Sequence, residues 1–127
     1  MIDHTSINVK DFAEAKELFI KMLAPLGYSI IMDLSEYKTA GFGAEKPDFW
    51  ISEKKESTAG THVAFGAKNK EQVDNFYKVA LEAGAIDNGA PGYRAEYTPG
   101  YYAAFVHDLD GNNIEVVWMD PQAKTNS

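Results

Sequence analysis

A shift of 58 residues, from position 4 to position 62, lays this chain on itself: His4 falls on His62, Lys10 on Lys68 and Leu23 on Leu81. Self-similarity at a fixed offset restricts a chain to architectures made from copies of one supersecondary unit. The residue types repeat more fully than the identities. After His4 a short strand reads Thr5, Ser6, Ile7, Asn8, Val9; after His62 it reads Val63, Ala64, Phe65, Gly66, Ala67. Alternation along a strand points Ile7 and Val9, like Val63 and Phe65, to one face. It leaves each histidine on the other face beside small side chains: Ser6 and Asn8 in one copy, Ala64 and Gly66 in the other.

A helix is predicted next in each copy. Asp11 with Glu14, and Asn69 with Gln72, have capping-box spacing. The apolar stripe Ala15, Leu18, Phe19, Met22, Leu23 matches Val73, Phe76, Tyr77, Ala80, Leu81 at the same offset, with the i, i+3, i+4, i+7, i+8 spacing of a helix packed on one side. Gly27 and Gly84 are placed to end these helices, and Pro25 weakens the last turn of the first. Strands are predicted at 28–33, 38–43 and 48–53 in the first copy and at 85–88, 101–107 and 113–119 in the second. Asp108-Leu109-Asp110-Gly111 supplies the turn between the last two. Each copy therefore reads as strand, helix and about three strands. The expected organisation is one α+β domain over 1–120, with module one at 1–53, a polar linker at 52–60, module two at 61–120 and a frayed tail at 121–127.

Charge narrows the partners. The 127 residues carry 19 acidic and 12 basic groups for a net charge of −7, and Arg94 is the one arginine. Without a basic run to neutralise phosphates, nucleic-acid binding is not expected. No apolar stretch approaches the roughly 20 residues of a membrane span. The Met-Ile-Asp-His start lacks the basic and apolar regions of a signal peptide, and there is no cysteine. A cytoplasmic protein with a small-molecule ligand is the expectation.

Glu115 is the most informative residue. It interrupts Ile114-Glu115-Val116-Val117-Trp118, and a carboxylate in such a strand either faces water or needs a buried partner. Histidines at equivalent positions of a repeat supply candidate partners. If the copies pack about a pseudo-twofold axis, His4, His62 and Glu115 converge as a 2-His-1-carboxylate set. That chemistry suits Zn, Ni, Mn or Fe without choosing among them. His107, beside Asp108 at a strand end, reads as a solvated turn residue. The segment Tyr93-Arg94-Ala95-Glu96-Tyr97-Thr98-Pro99-Gly100-Tyr101-Tyr102 reads as a binding loop. There Arg94 would grip a substrate anion while Tyr97, Tyr101 and Tyr102 hydrogen-bond to it. The alternative is a packed loop with Arg94 stacked on a ring or paired with Glu96.

The repeat, the two strand-start histidines, and Tyr101-Tyr102-Ala103-Ala104-Phe105-Val106 followed by Asp108-Leu109-Asp110-Gly111-Asn112-Asn113-Ile114-Glu115 together resemble the vicinal oxygen chelate superfamily. That group includes glyoxalase I, bleomycin-resistance proteins and extradiol dioxygenases. The resemblance runs over about residues 1 to 120. It implies two tandem βαβββ modules whose mixed sheet curls around a metal-holding cleft. By position it implies His4, His62 and Glu115 as metal ligands, with Glu115 also catalytic. It further implies a homodimer whose sites can draw His4 from one chain and His62 with Glu115 from the other. Glyoxalase I takes a fourth ligand from the last strand of module one, where Trp50 stands here. An indole N–H only donates, so Trp50 becomes a pocket wall and no carboxylate pair of the glyoxalase type is available. A metal-dependent lyase or isomerase of lactoylglutathione-lyase type, acting on a small oxygenated substrate, ranks ahead of an extradiol-type dioxygenase. The alternative from a different class is a metal-free, drug-sequestering binding protein.

Overall fold

A computed structural model describes residues 1–56 and 59–123. In chain order the elements are β1 (Thr5–Val9), α1 (Phe12–Leu23), β2 (Ser29–Leu34), β3 (Thr39–Gly43), β4 (Phe49–Glu53), β5 (His62–Gly66), α2 (Lys70–Glu82), β6 (Ile86–Tyr93), β7 (Tyr101–His107) and β8 (Asn113–Met119). The two βαβββ modules are present, and each forms its own four-stranded sheet, ordered β1-β4-β3-β2 and β5-β8-β7-β6. In each sheet the first strand runs parallel to the last, beside antiparallel neighbours. A parallel pair needs a long crossover connection, which is why a helix follows the first strand in both modules.

The caps form as the spacing predicts. Asp11 accepts from the Glu14 amide at 3.0 Å and Asn69 from the Gln72 amide at 2.8 Å. All five stripe residues of α1 are buried, together with Phe12; in α2 Val73, Phe76 and Ala80 are buried and Tyr77 and Leu81 pack partly against the core. α1 ends at Leu23, earlier than Gly27, because Pro25 has no N–H to continue the ladder. A single 3-10 turn over Ala24–Leu26 follows, and Gly27, at φ 80°, closes that turn. The second departure is β6, which runs to Tyr93 where the sequence suggested only 85–88. Register shifts around Gly89 hide its alternation, and Pro91 is tolerated because β6 is an edge strand.

One core serves both modules. Phe49 of β4 meets Phe65 of β5 edge-on at 5.0 Å between ring centroids, and Phe19 of α1 at 5.3 Å. Tyr28 adds a second edge contact to Phe65 at 5.8 Å. The turn between β7 and β8 ties the halves together outside the core. Asp110 accepts from the Lys10 amide of module one at 3.0 Å, and within module two Asn112 Oδ1 accepts from the Thr61 amide at 3.2 Å. Asp108, buried, holds the turn by accepting from the Asp110 and Asn112 amides and from Asn112 Nδ2. The linker expected at 52–60 overlaps the end of β4 and includes residues 57 and 58, outside the described set, as are 124–127 of the tail. Pro121 to Ala123 continue the chain in a hydrogen-bonded turn at Asp120.

Truncating Phe49, 1% exposed, removes the ring that joins the modules. Phe49→Ala is expected to lower unfolding free energy by about 3–5 kcal/mol, read by urea denaturation. The loss should come as one cooperative transition; two resolved transitions would show that the modules unfold separately.

Candidate metal centre

Register decides which side chains share a face. His62 lies opposite Asn113 and Ala64 opposite Glu115 in the parallel β5–β8 pair; Phe105 lies opposite Glu115 and Tyr101 opposite Met119 in the antiparallel β7–β8 pair. One face therefore carries His62, Glu115, Tyr101 and Phe105. The opposite face presents Phe65, Ile114, Val116 and Ala104 to the core. Ala64 and Gly66 keep the first face low beside His62, and a Cβ at Gly66 would meet nothing within 4 Å.

Glu115 is 2% exposed, and each of its carboxylate oxygens has a donor. His62 Nε2 lies 2.8 Å from Oε1, and the Tyr101 hydroxyl donates to Oε2. These two charge-assisted bonds offset the desolvation of the carboxylate. The His62 side chain is half exposed, so the carboxylate is covered and the imidazole is open. Partial burial, and then the Glu115 carboxylate, push the Tyr101 hydroxyl up to about 12, so it is a donor across the neutral range. The Phe105 ring lies 6.4 Å from the His62 ring.

Arg94 sits on the far side of Phe105, its guanidinium carbon 5.4 Å from the ring centroid. Its Nη1 donates to Gly92 O at 2.7 Å and its Nη2 to Ala90 O at 2.8 Å. Glycines leave room for this arrangement. A Cβ at Gly92 would stand 3.0 Å from Nη1 and one at Gly89 3.2 Å from Nη2. Of the two packed-loop options, the stack on a ring is the one adopted; no Arg94–Glu96 ion pair occurs among the described residues. Tyr97, largely exposed, meets Tyr101 edge-on at 5.1 Å.

Tyr102 is a correction to the loop reading. It projects to the opposite face, 6% exposed, where its hydroxyl donates to Asp74 of α2 at 2.5 Å and its ring packs edge-on against Trp118. Alternation along β7 separates it from Tyr101, a signal that treating four tyrosines as one loop overlooked. The same alternation places Phe105 on the site face, between His62 and Arg94, a residue that motif chemistry alone does not single out.

Module one places its equivalents on the other sheet. Trp50 lies opposite Ser6 just as Glu115 lies opposite Ala64, so the register makes the two positions equivalent. The half-buried indole lies on Gly41, where a Cβ would come within 2.9 Å of two of its ring carbons. His4 precedes β1 and is exposed. Its Nδ1 lies 2.9 Å from Asp3, which also accepts from Lys46 Nζ at 2.8 Å. Lys46, and after it His4, holds the Asp3 carboxyl down at about 2. A cavity of about 210 Å³ separates the approach to β1 from β5, lined by Asp3, Thr5, Asp48, Val63 and Ala64 among others. Among the described residues, no three His, Cys, Asp or Glu side chains converge closely enough to hold one ion. One chain thus brings together His62 and Glu115 and leaves His4 apart. An imidazole nitrogen and a carboxylate oxygen 2.8 Å apart are two donors of the kind that divalent cations take.

This architecture recurs in solved structures. A glyoxalase/bleomycin resistance protein from Albidiferax ferrireducens superposes with a TM-score of 0.76 at 24% identity, over 91% of this chain and 96% of that one. The chain has the paired-module fold of the vicinal oxygen chelate superfamily. A glyoxalase/bleomycin resistance protein/dioxygenase family enzyme from Burkholderia phytofirmans gives 0.71 at 17% identity, over 93% and 98%. The fosfomycin resistance protein FosX from Listeria monocytogenes gives 0.70 at 18%, over 93% and 92%; a FosX variant was solved with Mn(II) and 1S,2S-dihydroxypropylphosphonic acid. No family model and no curated protein matches the sequence. Among the described residues no helix is long and apolar enough to cross a membrane.

The tyrosine–carboxylate bond has a direct check. Replacing Glu115 with Gln removes the negative charge beside Tyr101, so Tyr101 should ionise at lower pH. Tyr102, raised by burial and by Asp74, should not move. Carbon-13 NMR of ring-labelled tyrosine reads both groups; an unmoved Tyr101 would mean that the bond does not form in solution.

Proposed function

We propose that this protein is a divalent-metal enzyme acting on a small oxygenated substrate in lyase or isomerase chemistry, with His62, Glu115 and His4 as metal ligands. The observation that carries the reading is the pairing of a fully covered carboxylate with a half-open imidazole on one sheet face. A strand that only needed packing would carry an apolar side chain at 115, as it does at 117 on the same face. The FosX variant holds Mn(II) on the same fold, which supports the metal without choosing among Zn, Ni, Mn and Fe.

When bound, the metal would supply Lewis-acid polarisation of substrate oxygens. The chain's own residues do the rest. His62 opens the site to solvent, while Glu115 carries the negative charge of the centre and is its candidate base. Phe105 walls one side. Arg94, pinned on Phe105, has N–H groups left over from its two carbonyl bonds and attracts an anionic oxygen of the substrate. Tyr97 stands at the rim. His4 enters from a second copy in a homodimer, where Trp50 of that copy forms the facing wall.

A second reading is a metal-free binding protein. Two observations favour it: each Glu115 oxygen has a hydrogen-bond partner within this chain, and the position equivalent to Glu115 in module one is an aromatic platform. Aromatic faces and an acidic surface suit cationic ligands.

Elemental mass spectrometry of tag-free protein separates the readings. Near-stoichiometric metal in the native protein and its loss in His62→Ala are expected. Native protein that stays metal-free after incubation with each candidate ion would leave the binding reading standing. If sites are shared across a dimer, refolding His4→Ala together with His62→Ala should restore metal in mixed dimers, since one of their two sites keeps every ligand. Sites contained within one chain would recover none.

A further inference from the structure

A second recess lies in module one, where β1 and β4 end beside the start of α1. It is a cavity of about 630 Å³, lined by Lys10, Phe12, Lys16, Ser35, Lys38 and Glu53 among others. Register fixes what stands at the same place in module two. Val9 lies opposite Glu53, and the Glu53 amide donates to Lys38 O at 3.0 Å. The matching residue in β8 is Trp118, which follows the Gly66–Val117 pair and lies opposite Tyr102. The offset of the repeat carries Lys16 onto Asp74. In module two this end is closed: the Tyr102 and Trp118 rings meet edge-on at 6.4 Å, and Tyr102 donates to Asp74. Module one has Lys38, Glu53 and Lys16 in place of those three residues, and the volume stays open.

The lysines around it have hydrogen-bonding capacity to spare, because an ammonium carries three N–H donors. Lys38 uses one on Glu53 at 3.0 Å, and Lys16 uses two, on Asp33 and on the Ser35 hydroxyl. Lys10 Nζ has no partner among the described residues. The lining carboxylates are already engaged. Glu53 accepts from Lys38 and from the Phe12 amide, and Asp11 caps α1 through the Glu14 amide. Since Glu53 takes the first N–H of α1, the recess relies on side-chain ammonium groups and not on the helix end. In a chain of net charge −7, three such groups around one hollow concentrate positive potential where an anion can enter.

We propose that this recess binds a small organic anion with two or more carboxylate or phosphate groups, gripped by Lys10, Lys16 and Lys38. Phe12 and Ala13 supply an apolar wall for its carbon skeleton. The site belongs to the opposite module from His62 and Glu115, so its occupant is a second ligand, and the proposal stands whether or not that face holds a metal.

Amide NMR of the full chain, titrated at constant ionic strength with pyrophosphate and separately with citrate, tests this. Saturable shifts at Ala13, Lys16 and Lys38 are expected with at least one probe. The tighter of the two identifies the ligand as a phosphate ester or a polycarboxylate. Lys10→Gln with Lys38→Asn should weaken binding about tenfold; asparagine tolerates the left-handed backbone at 38, where φ is 54°. Lys21→Gln with Lys78→Gln removes as much charge from exposed positions elsewhere on the two helices and should leave affinity unchanged. Should the first pair of changes prevent folding, Lys10→Gln alone should weaken binding in the same direction. Shifts that never saturate, shifts confined to the surroundings of His62 and Glu115, or equal weakening by both pairs of changes would overturn the proposal.

Discussion

The parallel pairing of the first and last strand in each module is the constraint on which the rest of the molecule rests. Parallel neighbours cannot be joined by a tight turn, so each module has to spend a helix on the crossover. That helix then supplies the apolar cover for one sheet face. With one face committed to the helix, the other is left to polar and functional residues. The same pairing brings the first residue of β5 within reach of the middle of β8, which is how His62 and Glu115, far apart in the chain, come to share a hydrogen bond.

The two halves meet through aromatic edges, with Phe49 and Phe65 at the centre, and through the bond from the Lys10 amide to Asp110 at the rim. This joint leaves the halves chemically unequal. Module two has a carboxylate, an imidazole and a phenol in contact. Module one has, at the matching register, an indole lying on a glycine, and its histidine lies outside the strand in a chain of salt-bridge partners with Asp3 and Lys46. Duplication supplied the frame for both halves, but only one of them assembles a polar site on this sheet face.

Much of the frame was legible because it follows from short-range periodicity. The helix stripes, the caps at Asp11 and Asn69 and the bounds of β7 and β8 depend on residues close in sequence, and they form as predicted. Elements set by non-local pairing were harder to read. β6 concealed itself because its register slips at glycines, and its length is set by β7 rather than by its own alternation. In the site, the association of Glu115 with a histidine could be suspected from the cost of burying a carboxylate. The identity of its second partner could not be, because Tyr101 reaches Glu115 only through the register of β7 on β8. The chemistry of Tyr102 suggests a pocket residue, although its parity in the strand places it with the core. His4 marks the outer limit of legibility: its equivalence to His62 is plain in the sequence, while the structure leaves it exposed beside Asp3 and apart from Glu115.

The seat of Trp50 on Gly41 makes the difference between the halves hard to edit one residue at a time. A Cβ at 41 would come within 2.9 Å of two indole carbons and within 2.8 Å of Pro47 Cβ. The backbone at 41 is thus kept bare from two sides, by the ring and by the proline. Exchanging Trp50 alone would remove one wall and leave the other, so the flat floor beneath the indole outlasts any single change made above it.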